Sequence, residues 1–330
     1  FAVIIISIIM SLATIFAGYV TQLTVKQKLA RFFDRQADQI GTTFHSKIST
    51  HVSVLNGLQG LWNIKGSLDH QSFLTYINSL SPNTTYQSGI SGLFYIIPVS
   101  NADRKTFENK IRTEKNITLV YQSFTIHPDS VAEILYPVVY VEPVKSRENT
   151  VGNDFSTFPE RLKSVEYARD QGLLATTNLT TFVSTGKPGF LFFLPLYQPG
   201  LPTDSLEERQ KAFRGLIGAS YRADSAFGQI FGKTDTYPYQ DFQIYQGEDT
   251  TPDRLLYDHD PSFTAQNPRF ETTRVVRLQG QTWTIKAQSK PNFSLLDEET
   301  RLPALVFISG FLITTLLIVF SLSQYFKATK

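Results

Sequence analysis

The stretch FAVIIISIIMSLATIFAGYVTQLTV (residues 1–25) decides the architecture of this chain, because it contains no Lys, Arg, Asp or Glu. An α-helix rises about 1.5 Å per residue, so about 20 apolar residues cross the hydrocarbon core of a bilayer. A second uncharged run, LPALVFISGFLITTLLIVFSLSQYF (residues 302–326), has the same character. The sequence therefore predicts a transmembrane helix at 1–25, another at 302–326, and a water-exposed region between them.

Charges beside the second run predict which side of the membrane this region occupies. Lys327 and Lys330 follow the run, whereas three acidic residues at 297–299 precede it. Cytoplasmic segments carry an excess of Lys and Arg, so residues 327–330 are expected to begin a cytoplasmic region. The first run is long for a signal peptide and has no small-residue cleavage site, so we interpret it as an uncleaved anchor. Residues 26–301 then lie outside the cytoplasm.

The amino-acid composition limits the cellular compartment in which the chain is expected and the partners it is expected to bind. The chain has no cysteine, which excludes disulfides, thiolate nucleophiles and cysteine-ligated zinc. A cysteine-free region of this size is typical of the bacterial periplasm and is large enough to bury its own core. The predicted location is therefore the bacterial inner membrane, with two passes. The formal net charge is only +2, so no nucleic-acid partner is expected.

A helical pattern continues beyond the first run, and residues 26–66 are predicted to form a stalk helix. Apolar residues recur about every 3.67 residues, which is a helical period. Two interpretations stay open: the stripe packs on the chain's own domain, or its membrane-proximal part pairs with a second copy as a homodimer. The stripe consists of Leu29, Phe33, Ala37, Ile40, Phe44, Ile48, Val52, Leu55, Leu58 and Trp62.

Short helices and strands alternate after residue 66, which predicts an α+β fold. Asp69 is expected to cap a helix that ends near Leu80. Thr157 and Glu160 have the spacing of a capping box, which predicts a helix that ends at Gly172. Further strands are expected at 89–99, 117–126, 134–144 and 173–183.

The polar segment LPTDSLEERQ (residues 201–210) is interpreted as a linker between two PAS-like subdomains. The predicted division places a membrane-distal, ligand-binding subdomain at 67–200 and a membrane-proximal subdomain at 201–301. The fold class is thus α+β, with a long N-terminal stalk helix and two PAS-like subdomains flanked by two transmembrane helices. The strand RGLIGASY, at 214–221, is expected to open the second subdomain.

No constellation of catalytic or metal-binding residues stands out. His45 and His51 are six residues apart, so a helix points them to different faces, and we interpret them as polar positions on the stalk. Asp258-His259-Asp260 precedes a proline and is interpreted as a loop rather than a metal site. Phosphate-binding, nucleophile-elbow and zinc-protease motifs are absent from the sequence. We expect no enzyme activity in this chain, no cofactor and no bound metal.

The best candidate for a ligand site is GNDFSTFPERLKSVEYARDQG (residues 152–172), in a chain rich in Phe and Tyr. Gly152 permits an unusual backbone turn. Asp154 precedes the expected helix cap by three residues, so capping does not require it. Its carboxylate can accept charge-assisted hydrogen bonds from ligand N–H groups. The alternative is that Asp154 makes a local contact within the turn.

Several blocks around this stretch occur in a characteristic order and spacing, from about residue 55 to residue 220. By them the chain resembles the CHASE domain, the extracytoplasmic sensor of plant cytokinin receptors and of many bacterial histidine kinases and diguanylate cyclases. The blocks are VLNGLQGLW (54–62), Phe73, GLFYIIPVSNADRKTFENKIR (92–112), Tyr136–Val138, Gly152-x-Asp154, Ala168-Arg169-x-x-Gly172 and FLFFLPLY (190–197).

The resemblance implies a dimeric sensor that binds a small molecule in the membrane-distal subdomain and drives a cytoplasmic kinase or cyclase. It also implies that Asp154 holds an adenine-type ligand, as the matching aspartate does in the cytokinin receptors. Thr177, Thr180 and Thr185 are further candidates for the pocket lining. The chain departs from the family pattern at Gln171 and at Asn178-Leu179, so ligand identity does not carry over. The rival functions are a membrane-anchored protein-interaction module and an anchored periplasmic enzyme.

Overall fold

The computed structural model describes residues 2–80, 89–115, 117–145, 147–182, 186–232, 234–263, 266–293 and 297–328. Its α-helices are α1 (Ala2–Lys65), α2 (His70–Ser79), α3 (Arg104–Arg112), α4 (Leu119–Gln122), α5 (Pro159–Gln171), α6 (Leu206–Ala212), α7 (Ala223–Phe231) and α8 (Asp297–Ala328). Its strands are β1 (Gly92–Ile96), β2 (Val99–Ser100), β3 (Ile134–Leu135), β4 (Val138–Glu142), β5 (Ala175–Thr176), β6 (Thr180–Thr181), β7 (Pro188–Tyr197), β8 (Phe213–Arg222), β9 (Gln240–Gln246), β10 (Leu255–Asp258), β11 (Glu271–Leu278) and β12 (Gln281–Ser289). The expected mixture of helices and strands behind a long N-terminal helix is confirmed.

The strands form two larger antiparallel sheets. In the first, the order is β4-β1-β8-β7-β5, and β6 pairs with β7. In the second, the order is β10-β9-β12-β11. The strand expected to open a second subdomain is β8, which lies between β1 and β7 in the first sheet. The division between the two sheets therefore falls after Arg222 and not at the polar segment 201–210.

Helix α1 packs along both sheets through its apolar stripe. All ten residues of the stripe are at most 5% exposed, so the stripe packs within the chain. Near the end of the helix, the Trp62 indole Nε1 donates to the Tyr197 carbonyl at 2.7 Å. Further back, the Phe44 ring contacts Phe227 of α7 and Trp283 of β12 at 6.2 and 5.6 Å between centroids. A contact between two copies would use another face of α1.

Polar residues also take part in the contact between α1 and the sheets, and the position of one of them, His51, differs from the prediction. Arg274 of β11 forms ion pairs with Asp34 and Asp38 of α1, at 3.1 and 2.5 Å. His51 was expected to be a polar position on the stalk surface, but it is fully buried and stacks on Tyr221 at 5.3 Å. A histidine ring can be buried beside an apolar stripe because it can stack on an aromatic partner, here Tyr221.

The N-terminal part of α1 packs against α8 at two glycines. A Cβ atom on Gly18 would lie 2.3 Å from the Phe307 ring, and one on Gly310 would lie 2.3 Å from Thr14. The contact moves back along α8 as it advances along α1, so the two helices are antiparallel. Both are long and apolar enough to cross a membrane, judged by length and composition.

Two local predictions are wrong, and each has a physical reason. Residues 117–126 were expected to form a strand, but they form α4 and a coil. Side chains bind their backbone instead of a neighbouring strand: Glu108 accepts from Ile126 N at 2.9 Å and Arg112 donates to Phe124 O at 2.7 Å. The predicted capping box at α5 is also absent, because the Thr157 hydroxyl donates to the Asp154 carbonyl at 2.7 Å.

Other local predictions are confirmed. Asp69 caps α2 by accepting from Ser72 N at 2.7 Å. Helix α5 ends at Gly172 in the left-handed conformation, as expected. A complete capping box does occur, between Ser205 and Glu208, and it opens α6 inside the segment interpreted as a linker.

Candidate ligand-binding site

A cavity is lined by residues of β1, β4, β7 and β8, by α5 and by the loop that precedes α5. It contains about 550 Å³ of empty space, its open mouth included. Buried apolar side chains form much of the wall, and they are Phe94, Val141, Phe155, Phe182 and Leu191.

The aromatic part of this wall depends on residues that leave room for rings. A Cβ atom on Gly189 of β7 would lie 2.4 Å from the Phe182 ring, so only glycine fits opposite that ring. Phe94 and Phe155 meet edge to face with centroids 6.1 Å apart, a preferred geometry for aromatic pairs. Because the rings contact one another, the wall has a defined shape.

Cationic side chains face the same cavity. Arg147, Arg161 and Arg222 all line it, whereas the described lining residues include no Asp or Glu. Arg147 donates to the carbonyls of Pro143 and Ser91, the first at 3.0 Å. The described wall is therefore largely apolar, and arginines carry its charge.

Arg161 is the most unusual of these groups because it is buried. It is 4% exposed, and its guanidinium lies 4.9 and 4.3 Å from the ring centroids of Phe155 and Phe158. Nη1 donates to Asn153 Oδ1 at 3.2 Å and Nη2 to Thr181 O at 3.3 Å, while Nε has no acceptor. Burial lowers the pKa of Arg161 to about 10, so it remains charged at neutral pH.

The loop that carries Asn153 and Phe155 is held in place by Asp154. The buried Asp154 carboxylate accepts from Tyr136 N at 2.7 Å, from Ser156 N at 2.9 Å and from the Ser156 hydroxyl at 2.5 Å. This is the local turn contact that the sequence left open as an alternative. The ligand contact assigned to Asp154 stays a prediction, since the carboxylate does not line the cavity among its described residues.

The other predicted site residues support the surrounding chain. Gly152 has φ +81°, and its carbonyl accepts from His127 N at 2.9 Å. Thr177 Oγ1 accepts from Leu191 N at 3.0 Å between two short strands, and Thr180 lies in β6 opposite Gly189. Gly152, Thr177 and Thr180 do not line the described cavity wall, and Thr185 lies outside the described residues. Their ligand-binding roles stay predictions.

Sequence reasoning singled out the loop and the helix that border this cavity, but it did not single out the arginines. One signal was present: Arg161, Val165 and Ala168 follow one another at helical spacing and are all buried, so an arginine occupies the inward face of α5. An arginine in that position indicates either an ion pair or a ligand. No local pattern marked Arg147 or Arg222. Arg147 lies in the loop after β4 and Arg222 ends β8, and these strands meet only because both pair with β1.

A second set of titratable groups lies in the smaller sheet. Asp241 is 3% exposed, and burial, assisted by the neighbouring Asp258, raises the pKa of its carboxyl to about 7. Asp260 forms an ion pair with Lys290 at 2.5 Å, and the His259 ring stacks on Phe242. Across the part of the chain that the structure describes, no three His, Cys, Asp or Glu side chains are grouped to hold a metal ion.

The larger antiparallel sheet and α5 thus border a partly apolar cavity with an open mouth, a concave site of the kind that small molecules occupy. The CHASE domain family model matches residues 66–257, which is more than half of the chain. The chain therefore belongs to the CHASE domain family and is an extracytoplasmic sensor domain. A comparison with curated protein sequences found no match.

Solved structures of bacterial chemoreceptor domains are similar to this chain. The ligand-binding domain of the amino acid chemoreceptor PctC of Pseudomonas aeruginosa, in complex with GABA, has a TM-score of 0.45 and 12% identity, covering 79% of this chain and 99% of that one. PctB of the same organism, with L-Arg, has a TM-score of 0.46 and 10% identity, covering 82% and 99%. CtaA of Pseudomonas fluorescens, with L-leucine, has a TM-score of 0.46 and 7% identity, covering 82% and 98%.

Proposed function

We propose that this chain senses a small molecule through the cavity between the larger sheet and α5, and transmits its binding to the cytoplasm. The observation that carries the proposal is the cavity itself, whose apolar wall and few convergent polar groups are what small-molecule sites require. Gly152 and Asp154 set the loop that forms one side of it. Direct ligand contacts by Asp154, Thr177, Thr180 and Thr185 remain part of the proposal.

In this proposal α1 and α8 cross the bacterial inner membrane and residues 26–301 occupy the periplasm. The support is the length and composition of the two helices and the lysines after the second apolar run. The chain forms a homodimer through the stalk, using a face other than the buried stripe. The output is a cytoplasmic histidine kinase or diguanylate cyclase, as the family resemblance implies, and two PAS-like subdomains share the periplasmic region.

A thermal-shift screen of the full chain in detergent against small metabolites tests the sensing role. A ligand at about 100 times its dissociation constant adds about 2.7 kcal/mol to the free energy of unfolding, which raises the melting temperature by several degrees. Thr150→Trp places a large ring on the cavity lining and should abolish the shift. The matched control is Thr250→Trp, an exposed threonine away from the cavity. Equal shifts in both variants would contradict this site.

The topology has a separate test, because the chain contains no cysteine of its own. Single-cysteine variants Thr250→Cys and Lys327→Cys are labelled with a membrane-impermeant maleimide. In spheroplasts, only the Thr250→Cys variant should react with the maleimide. The Lys327→Cys variant should react only after the membrane is permeabilised. The reverse pattern would overturn the periplasmic location.

A further inference from the structure

The geometry points to a ligand class for this cavity: a small organic monocarboxylate. Its anionic group pairs with Arg161, and its apolar body lies against the lining phenylalanines Phe94, Phe155 and Phe182. This inference rests on the proposed sensing function and deepens it. It differs from the adenine-type ligand implied by family resemblance, for which the predicted partner is the Asp154 carboxylate and not a cation.

The first step is the uncompensated charge. A buried cation without a counter-ion is costly, so buried arginines normally pair with carboxylates. Among the described residues, no carboxylate oxygen lies within 4.0 Å of the Arg161 nitrogens, and its hydrogen-bond partners are an amide and a backbone carbonyl. An anion that enters the cavity would supply the missing charge.

The second step is the number of hydrogen-bond donors left over. A guanidinium has five N–H donors, and Arg161 uses one on Asn153 and one on Thr181. Nε–H has no acceptor, although it is buried. Nε–H and a neighbouring Nη–H form the fork that binds both oxygens of a carboxylate. The protein therefore holds the guanidinium through Asn153 and Thr181 and leaves its Nε–H without an acceptor.

The third step is the rest of the wall. The cavity offers five buried apolar side chains, so a ligand that is charged at one end and apolar at the other fits it best. A phosphate ester carries about two charges at neutral pH. A monocarboxylate carries one charge, which matches the Arg161 guanidinium, for which the described residues supply no ion pair. Since no Asp or Glu lines the described wall, an amine or adenine group has no carboxylate partner there.

The test uses matched probes on the full chain in detergent, with binding measured by calorimetry and by thermal shift. Acetate, hexanoate, benzoate and 3-phenylpropanoate are each compared with the corresponding primary amide, and phenyl phosphate and adenine are added. We expect at least one carboxylate with an apolar body to bind about tenfold or more tightly than its amide, since a charge-assisted hydrogen bond is lost. We also expect acetate to bind more weakly than the larger acids.

The variant Arg161→Met keeps the apolar stem and removes the charge. It should lower carboxylate affinity about tenfold or more while leaving the melting temperature of the unliganded chain unchanged or raised, because a buried unpaired cation is gone. Lys163→Met is the matched control, because Lys163 is exposed on the same helix and outside the cavity lining. If Arg161→Met does not fold, the comparison of acids with amides on the parent chain decides alone.

The outcomes separate this inference from the proposed function. Equal or tighter binding of the amides, of phenyl phosphate or of adenine, abolished by Thr150→Trp, overturns the monocarboxylate class and leaves small-molecule sensing intact. Carboxylate binding that survives both Thr150→Trp and Arg161→Met overturns the site. If neither these probes nor a metabolite library shifts the melting temperature, both the ligand class and the sensing function are wrong.

Discussion

Replacing Gly152 by alanine tests whether the loop beside the cavity is set by close backbone contact. Gly152 has φ +81°, a conformation that costs an L-residue about 1–2 kcal/mol. A Cβ atom there would also lie 2.0 Å from the Thr125 carbonyl oxygen, which is backbone and cannot rotate away. Separating the segments weakens the hydrogen bonds from His127 N to Gly152 O and from Gly152 N to Val138 O, each contributing about 1 kcal/mol. The total expected loss is about 3–4 kcal/mol.

The matched control is Gly200→Ala. Gly200 has nearly the same φ, +84°, but nothing lies within 4 Å of the position its Cβ would take. It should therefore lose only the conformational part, about 1–2 kcal/mol. The difference of about 2 kcal/mol corresponds to roughly 4–8 °C in the melting temperature of a domain this large, measured by thermal unfolding in detergent. Equal shifts in the two variants would show that the contact with Thr125 does not constrain the loop.

Three further predictions concern charge and packing away from the cavity. The pKa of Asp241 is raised to about 7, so the folded state keeps a proton that the unfolded state loses above about pH 4. The free energy of unfolding therefore falls as pH rises from about 4 to 7. Asp241→Asn should flatten this part of the plot of melting temperature against pH, and an unchanged slope would refute the prediction. Arg274→Ala removes two partly exposed ion pairs to α1 and should lower the free energy of unfolding, measured by chemical denaturation, by up to about 1 kcal/mol. This difference should disappear at high salt. Arg277→Ala removes an ion pair that is about two-thirds exposed and should have no measurable effect. Trp62→Phe leaves the Tyr197 carbonyl without its donor and should cost roughly 1–3 kcal/mol by the same measurement, a smaller loss indicating that water replaces the indole.

Features that depend on local sequence were predictable. The stripe on α1 could be read from its period, because a helix presents one face at that spacing whatever it packs against. The Asp69 cap and the Gly172 helix end were likewise local, since each depends on groups within one helical turn. The period could not show what the stripe packs against. The same pattern of apolar residues is expected whether the helix packs on the sheets of its own chain or on a second copy.

Features that depend on distant residues were missed. The run at 117–126 has the residue types of a strand, but Glu108 and Arg112 bind its backbone from α3 and leave no edge for pairing. Strand β8 follows a polar segment that resembles a domain boundary, yet it pairs with β1, more than a hundred residues earlier in the chain. The cavity itself is assembled by these pairings, so the sequence indicated the loop at Asp154 and could not show that Arg147 and Arg222 approach it.

The structure also provides a short connection between the cavity and the helix that continues into the first apolar run. Arg222 lines the cavity, and the next residue, Ala223, begins α7. Phe227 and Phe231 of that helix both stack on Phe44 of α1, at 6.2 and 6.4 Å. A change at Arg222 is thus separated from α1 by a single helix. A ligand can exploit this connection only through its different affinities for two arrangements of the chain. A carboxylate that binds one arrangement ten times more tightly changes the ratio of the two populations tenfold at saturation, and it needs no contact with α1 to do so.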